Sequence, residues 1–115
     1  MTPTTAYPEV LGRVFAFHRK RLALNQDPVA QAIGVSQSAY SRMERGETPI
    51  TTLQLRKAAR GLGWVEPSRL LEDAEKVAKR LSDLKVRVLD ERPPNGLMLW
   101  LALDTLDEIV SESFR

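Results

Sequence analysis

Residues 25–46 read Asn-Gln-Asp-Pro-Val-Ala-Gln-Ala-Ile-Gly-Val-Ser-Gln-Ser-Ala-Tyr-Ser-Arg-Met-Glu-Arg-Gly, and their reading decides the fold. Asn25-Gln26-Asp27-Pro28 is a helix start with Asn25 at the cap. Pro28 has no N–H, so the Asn25 side chain is expected to bond to the N–H of Asp27. Val29, Ala30 and Ile33 make an inward face, and Gly34 stops the helix where a left-handed backbone is needed. Two residues later Ser36 caps a second helix, with Tyr40 and Met43 inward and Gly46 as its stop. Two helices of about eight residues thus meet at a tight turn, an arrangement whose second helix can enter the DNA major groove.

The flanks extend the pattern. Pro8 fits the first position of an earlier helix, with Glu9 favourable in its first turn. Leu11, Phe15, His18 and Leu22 then recur on one face of an amphipathic helix. After Thr48-Pro49 another helix begins near Thr51 or Thr52 and carries Leu55, Ala58, Ala59 and Leu62 before Gly63.

These residues, in register, carry a resemblance. Leu11-Gly12, Arg19, Leu24-Asn25-Gln26, Val29-Ala30 and Ile33-Gly34-Val35-Ser36, then Ser41 through Gly46, Leu55, Ala58-Ala59 and Leu62-Gly63, resemble the Cro/repressor-like (XRE-type) domain of bacterial and phage regulators. The resemblance covers just under half the chain. It implies an all-α, lambda-repressor-like helix-turn-helix bundle over residues 8–66, after a flexible N-terminal arm at residues 1–7. Residues Gln37 to Arg42 resemble the recognition helix. Gln37, Ser38, Ser41 and Arg42 are the candidate base contacts, because glutamine pairs with adenine and arginine with guanine in the major groove. A solvated polar face would carry the same residue types; the motif context favours base contact for Gln37 and Arg42. By resemblance Asn25 and Gln26 clamp one backbone phosphate and Arg45 another, and the free N–H groups at a helix start suit an anion near Gln26. Thr48, Thr51 and Thr52 add candidate phosphate hydrogen bonds. Arg19 and Glu44 look like the family's ion pair between the first and third helices, a structural role preferred here to a phosphate contact by Arg19. Tyr40 stands where the family usually has isoleucine or valine, and is expected to keep its ring inward and its hydroxyl toward solvent or a phosphate. His18 stands where the family usually has leucine, and is read as a partly covered core histidine rather than a pH switch.

Composition narrows the chemistry. The 115 residues, 43% hydrophobic and 28% charged, are ordinary for one small domain or one and a half. Cysteine is absent and His18 is the only histidine, which removes disulfides, thiolate zinc sites and cysteine nucleophiles and leaves a serine–histidine hydrolase improbable. The net charge of +2 hides an asymmetry: residues 1–63 hold nine basic and four acidic side chains, residues 64–115 eight and eleven. A basic half suits a polyanion. The longest apolar run, Leu97 to Leu103, is seven residues, against about 20 for a membrane helix, and the N-terminus has no signal-peptide pattern. A cytoplasmic protein, nucleoid-associated when on DNA and without membrane contact, is expected.

The second half presents helices without catalytic residues. Pro67 opens a helix in which Leu70, Ala74, Val77, Leu81, Leu84 and Val88 form a heptad seam of about two and a half repeats. Lys85 to Val88 reads equally as a short strand near 85–89, and the alternatives stay open. Arg92-Pro93-Pro94-Asn95-Gly96 is a break. Leu97 to about Ser113 reads as a helix, apolar all round for two turns and then amphipathic through Leu103, Leu106, Ile109 and Val110. Such a surface must be buried, either by a second copy or by the chain's own first half, including Trp64. The subunit interface is the preferred reading: residues 67–115 form a C-terminal dimerisation or oligomerisation region, using Leu70, Ala74, Val77, Leu81, Leu84, Leu97, Trp100, Leu101, Leu103 and Leu106. Asp104, Asp107 and Glu108 share a face that is read as solvated, not as a metal site. Glu72, Asp73 and Glu75 suit the helix dipole. No enzyme, metal, cofactor or small-molecule ligand is expected.

The leading expectation is a transcriptional regulator binding double-stranded DNA at a pseudo-palindromic operator, as a homodimer or a tetramer. The alternative is an antitoxin whose acidic half holds a toxin. A module that has lost DNA binding is disfavoured by Gln26, Gln37 and Arg42.

Overall fold

The computed structural model describes residues 2–63, 66–93 and 100–115. Its axis is the helix started by Tyr7-Pro8, α1 (Tyr7–Arg21), preceded by a short strand, β1 (Thr4–Ala6). Helices α2 (Gln26–Ile33), α3 (Gln37–Glu44) and α4 (Thr52–Gly61) follow. Then α5 (Pro67–Asp83) runs against α1, β2 (Arg87–Leu89) pairs with β1, and α6 (Leu103–Ser113) closes over α1 and α5.

Local chemistry accounts for the helix ends. Gly34 takes the left-handed conformation (φ 85°), and its N–H and that of Val35 both return to the Ala30 carbonyl. Ser36 Oγ accepts from the Ala39 N–H at 3.1 Å, and Thr51 with Gln54 makes a reciprocal capping box. Asn25 flanks α2 but its side chain makes no capping bond. With Pro28 in the first turn the N–H that a capping side chain most often reaches is missing, and the expected substitute at Asp27 does not form. Lys85 takes the left-handed region at the end of α5 (φ 64°), and the Val86 N–H returns to Leu81 O at 2.8 Å. That turn redirects the chain into β2, so residues 87–89 are a strand and the helical seam ends before Val88.

A single core spans both halves. Val10, Val14 and Phe15 of α1 pack in one cluster with Val29, Ile33, Tyr40 and Met43, with Leu70, Ala74, Val77 and Leu81, and with Leu106, Ile109 and Val110. Residues Glu9 to Ala16 of α1 are all buried, so this helix is not the one-faced amphipath its Leu11–Phe15–His18 spacing implies. The faces that the first half leaves uncovered are taken by α5 and α6.

Several expectations give way here. Leu70, Ala74, Val77, Leu81 and Leu106 are fully buried within the chain itself, so they are not free for a second copy. Burying each leucine contributes about 1.5–3 kcal/mol, and α1 offers that burial without a partner. Of the expected interface, Leu84 is exposed, Trp100, Leu101 and Leu103 are half-buried, and Leu97 lies outside the described residues, as does Trp64. The last helix begins at Leu103; Trp100 instead bridges Thr4 in extended backbone, and the Leu101 N–H donates to Thr4 O at 2.7 Å. Those main-chain bonds to β1 displace helical ones. Nor is the N-terminus a flexible arm over its described part. Thr4, Thr5 and Ala6 are buried and pair in parallel with Arg87, Val88 and Leu89.

Candidate nucleic-acid interface

The site begins with how closely α3 is held. Gly12 lets α1 approach the end of α3: a Cβ there would lie 2.5 Å from Met43 O and 2.6 Å from Glu44 O. Ala30 of α2 is buried in the same core cluster as Tyr40 and Met43 of α3. Arg19 and Glu44 then fix the end of α3 electrostatically, Nε to Oε2 at 2.7 Å and Nη2 to Oε1 at 3.0 Å, while Arg19 Nη1 donates to Leu24 O. Gln26 Nε2 donates to Glu44 Oε1 at 3.0 Å. Burial alone would raise the Glu44 carboxyl, but the hydrogen bonds from Arg19 and Gln26 outweigh it and hold the group below the ordinary carboxylate value. Arg19 is therefore occupied inside the protein.

This framework turns the remaining side of α3 outward. Gln37, Ser38 and Arg42 are exposed and Ser41 is half-exposed. Together with Gln26 and Arg45 they line one open depression. Arg45 leans back on its own neighbours, with Nη1 2.6 Å from Ser41 Oγ and Nε 2.8 Å from Glu47 Oε2. Asn25, Thr48, Thr51 and Thr52 are exposed but do not line that depression. Thr51 Oγ1 already accepts the Gln54 N–H.

Tyr40 differs from its expectation. It is fully buried, and its hydroxyl reaches neither solvent nor the outward face. Burial, reinforced by the nearby Glu44 carboxylate, pushes the phenol well above its ordinary value. Its Oη lies close beside the Glu44 carboxylate but makes no hydrogen bond of good geometry among the described residues.

Three buried polar links were missed in the sequence. Arg13, one of the nine basic residues of the first half, is not available to DNA. Its Nε and Nη2 hold Asp107 at 2.6 and 3.1 Å, and Nη1 donates to Glu44 O at 3.0 Å. Asp107 is thus an ion-pair partner rather than part of a solvated face. His18 Nε2 lies 2.7 Å from Asp73 Oδ2, joining α1 to α5. These partners stand 94 and 55 residues apart, and no local pattern announces them. Glu9 is the third: buried in the first turn of α1, it accepts from Thr5 Oγ1 at 3.1 Å and faces Arg92 at 3.6 Å. Burial raises its carboxyl above the ordinary value despite both neighbours. Among the described residues no cluster of histidine or acidic side chains is placed to hold a metal ion.

A model of the helix-turn-helix family, the Cro/C1 or XRE type, matches residues 18–70. Residues 18–70, a little under half of the chain, are thus similar to a helix-turn-helix domain of that type. The match runs from the last turn of α1 through Leu70, the first core residue of α5, and so contains both α2 and α3; it supports a DNA-binding domain. Searches of curated proteins and of solved structures found no match. No helix among the described residues is long and apolar enough to cross a membrane.

Proposed function

We propose that the chain is a sequence-specific transcriptional regulator of a bacterium or phage, binding a pseudo-palindromic operator as a homodimer. The observation that carries this reading is the outward face of α3. Gln37, Ser38, Ser41 and Arg42 lie side by side there, flanked by Gln26 and Arg45, while every inward residue of α3 is used for packing or for the Arg19 pair. In this reading Gln37 and Arg42 read base edges, with Ser38 and Ser41 beside them. Asn25, Gln26, Arg45, Thr48, Thr51 and Thr52 set position on the phosphates. The protein is a binder, not an enzyme, needs no cofactor, and works in the cytoplasm.

The homodimer follows from recognition arithmetic: one such domain reads too few base pairs to be selective in a genome. Two copies read half-sites about 34–36 Å apart. Among the residues expected at the interface, Leu84, Trp100, Leu101 and Leu103 keep surface that a second copy can use. The antitoxin alternative needs a segment free to hold a toxin, and α5, β2 and α6 are taken up in the chain's own core.

Selection of bound sequences from random DNA, with a mass measurement of the complex, tests the reading. A palindromic site bound by two chains is expected. Gln37→Ala or Arg42→Ala should relax preference at one or two positions per half-site, whereas Gln26→Ala should weaken all sequences alike. Binding without sequence preference, or insensitive to salt, would overturn it.

A further inference from the structure

A groove lies away from the α3 face. It runs between α1 and α6, has a volume of about 390 Å³, and is lined by Arg13, Ala16, Phe17, Lys20 and Arg21 on one side and Asp107, Val110 and Ser111 on the other. That volume falls in the range of small-ligand sites, roughly 300–1,000 Å³.

The lining has a direction. Ala16 and Val110 are buried and Phe17 is half-buried, so the floor is apolar. At one end Arg13 and Asp107 neutralise each other in a two-bond pair. At the other end stand Lys20 and Arg21, both exposed. Arg21 lies over the Phe17 ring at 5.8 Å and reaches His18 Nδ1 at 3.0 Å. Neither Lys20 nor Arg21 forms an ion pair with a carboxylate among the described residues. The dipole at the end of α1 favours basic residues there, but it does not explain an apolar floor left open beside them.

We propose that this groove binds a small organic acid, with its carboxylate toward Lys20 and Arg21 and an aromatic or branched aliphatic body on Phe17, Ala16 and Val110. An apolar body displaces water from the floor. The acid group gains charge-assisted bonds that a neutral analogue cannot make. No local pattern announces such a site, because its two walls, like Arg13 and Asp107, stand 94 residues apart and meet only in the folded chain. The proposal is independent of DNA binding.

The probes are benzoate, phenylacetate and 4-methylpentanoate, with benzyl alcohol as the neutral control, read by NMR on the full chain. The acids are expected to shift the signals of Ala16, Val110 and Ser111 at millimolar concentration. Benzyl alcohol and the Lys20→Glu variant should each bind at least about tenfold more weakly. Ser111→Trp, which fills the groove from the surface, should abolish the shifts while leaving the melting curve in place. The proposal fails if none of the acids moves those signals. It also fails if benzyl alcohol binds as tightly as benzoate, or if folded Lys20→Glu binds the acids unchanged.

Discussion

Residues 25–63 and the clasp made by β1, α5, β2 and α6 are built from similar apolar repeats, yet they are specified in different ways. In the first region each helix end carries its own chemical signal, at Gly34, Ser36 and Thr51. Its helices pack on near neighbours in the chain. In the clasp the Leu70–Leu81 stripe is equally suited to a second copy or to α1. What settles the matter is the set of distant partners: Arg13 with Asp107, His18 with Asp73, Thr4 with Arg87 and Trp100. Local signals define helices; they do not say which surface a helix will cover.

The largest test breaks the comparison outright. If the clasp is core rather than appendage, ending the chain after Leu71 removes Ala74, Val77, Leu81, Leu106, Ile109 and Val110 from the cluster around α1. Losses of about 2–5 kcal/mol for each large side chain, taken over the five large ones, match or exceed the whole stability of a typical domain, about 5–15 kcal/mol. Calorimetry of the fragment should show no cooperative transition. A fragment that melts cooperatively near the temperature of the full chain would restore two separate regions.

Glu44 lies where the two regions meet, its carboxylate held by Arg19 and Gln26 and its carbonyl by Arg13. Glu44→Ala leaves Arg19 buried without its partner and should cost about 3–5 kcal/mol. The sign with pH follows from the lowered folded-state value. The unfolded carboxyl titrates near 4.5, so the stabilisation is complete above that pH and is lost as pH falls through the folded value. Stability curves from pH 7 down to acid should therefore converge for wild type and variant. A variant that melts normally yet fails to bind DNA would place Glu44 at the DNA instead.

The helix-turn-helix and its outward residues were legible because turns, caps and the motif series are short-range. The capping bond expected of Asn25 was not, since two candidate donors differ by a single proline. The placement of α5 and α6 was not legible either. An apolar stripe states how much surface must be covered, and the pairing of Arg13 with Asp107 needs the fold to exist first. Trp100 reads as the centre of a helix because Leu97 to Leu103 is uniformly apolar, whereas Trp100 and Leu101 themselves meet Thr4 of β1 through the main chain.

A smaller effect sharpens the clasp side. Glu9 is buried beside β1, and its carboxyl is raised above the ordinary value by that burial. For a raised acid the sign reverses: the protonated form suits the folded state, so stability is greatest below the unfolded value of 4.5 and declines as pH rises through the folded one. Glu9→Gln keeps an acceptor for Thr5 Oγ1 and removes the charge. It should melt higher than wild type at pH 7 and no higher at pH 4. A variant less stable at pH 7 would show that the Arg92 contact at 3.6 Å outweighs the cost of burial.

The smallest effect belongs to the helix-turn-helix side, where Tyr40 buries a phenol in the core. The ring belongs to the core cluster and is fully buried, so its packing must be kept. The hydroxyl is a different matter, because it is buried close beside the Glu44 carboxylate yet forms no hydrogen bond of good geometry among the described residues. A buried hydroxyl without a partner costs about 1–3 kcal/mol of desolvation, and phenylalanine removes that cost while preserving the ring. Tyr40→Phe should therefore stabilise the chain, by up to about 1 kcal/mol once the small void left by the oxygen is counted. Its affinity for DNA should be unchanged, since the hydroxyl lies away from the Gln37–Arg42 face. Thermal melts of the two proteins decide it. A loss of about 1 kcal/mol or more would mean that the hydroxyl bonds to Glu44 in solution, and that tyrosine belongs to the same polar network as Arg19 and Gln26.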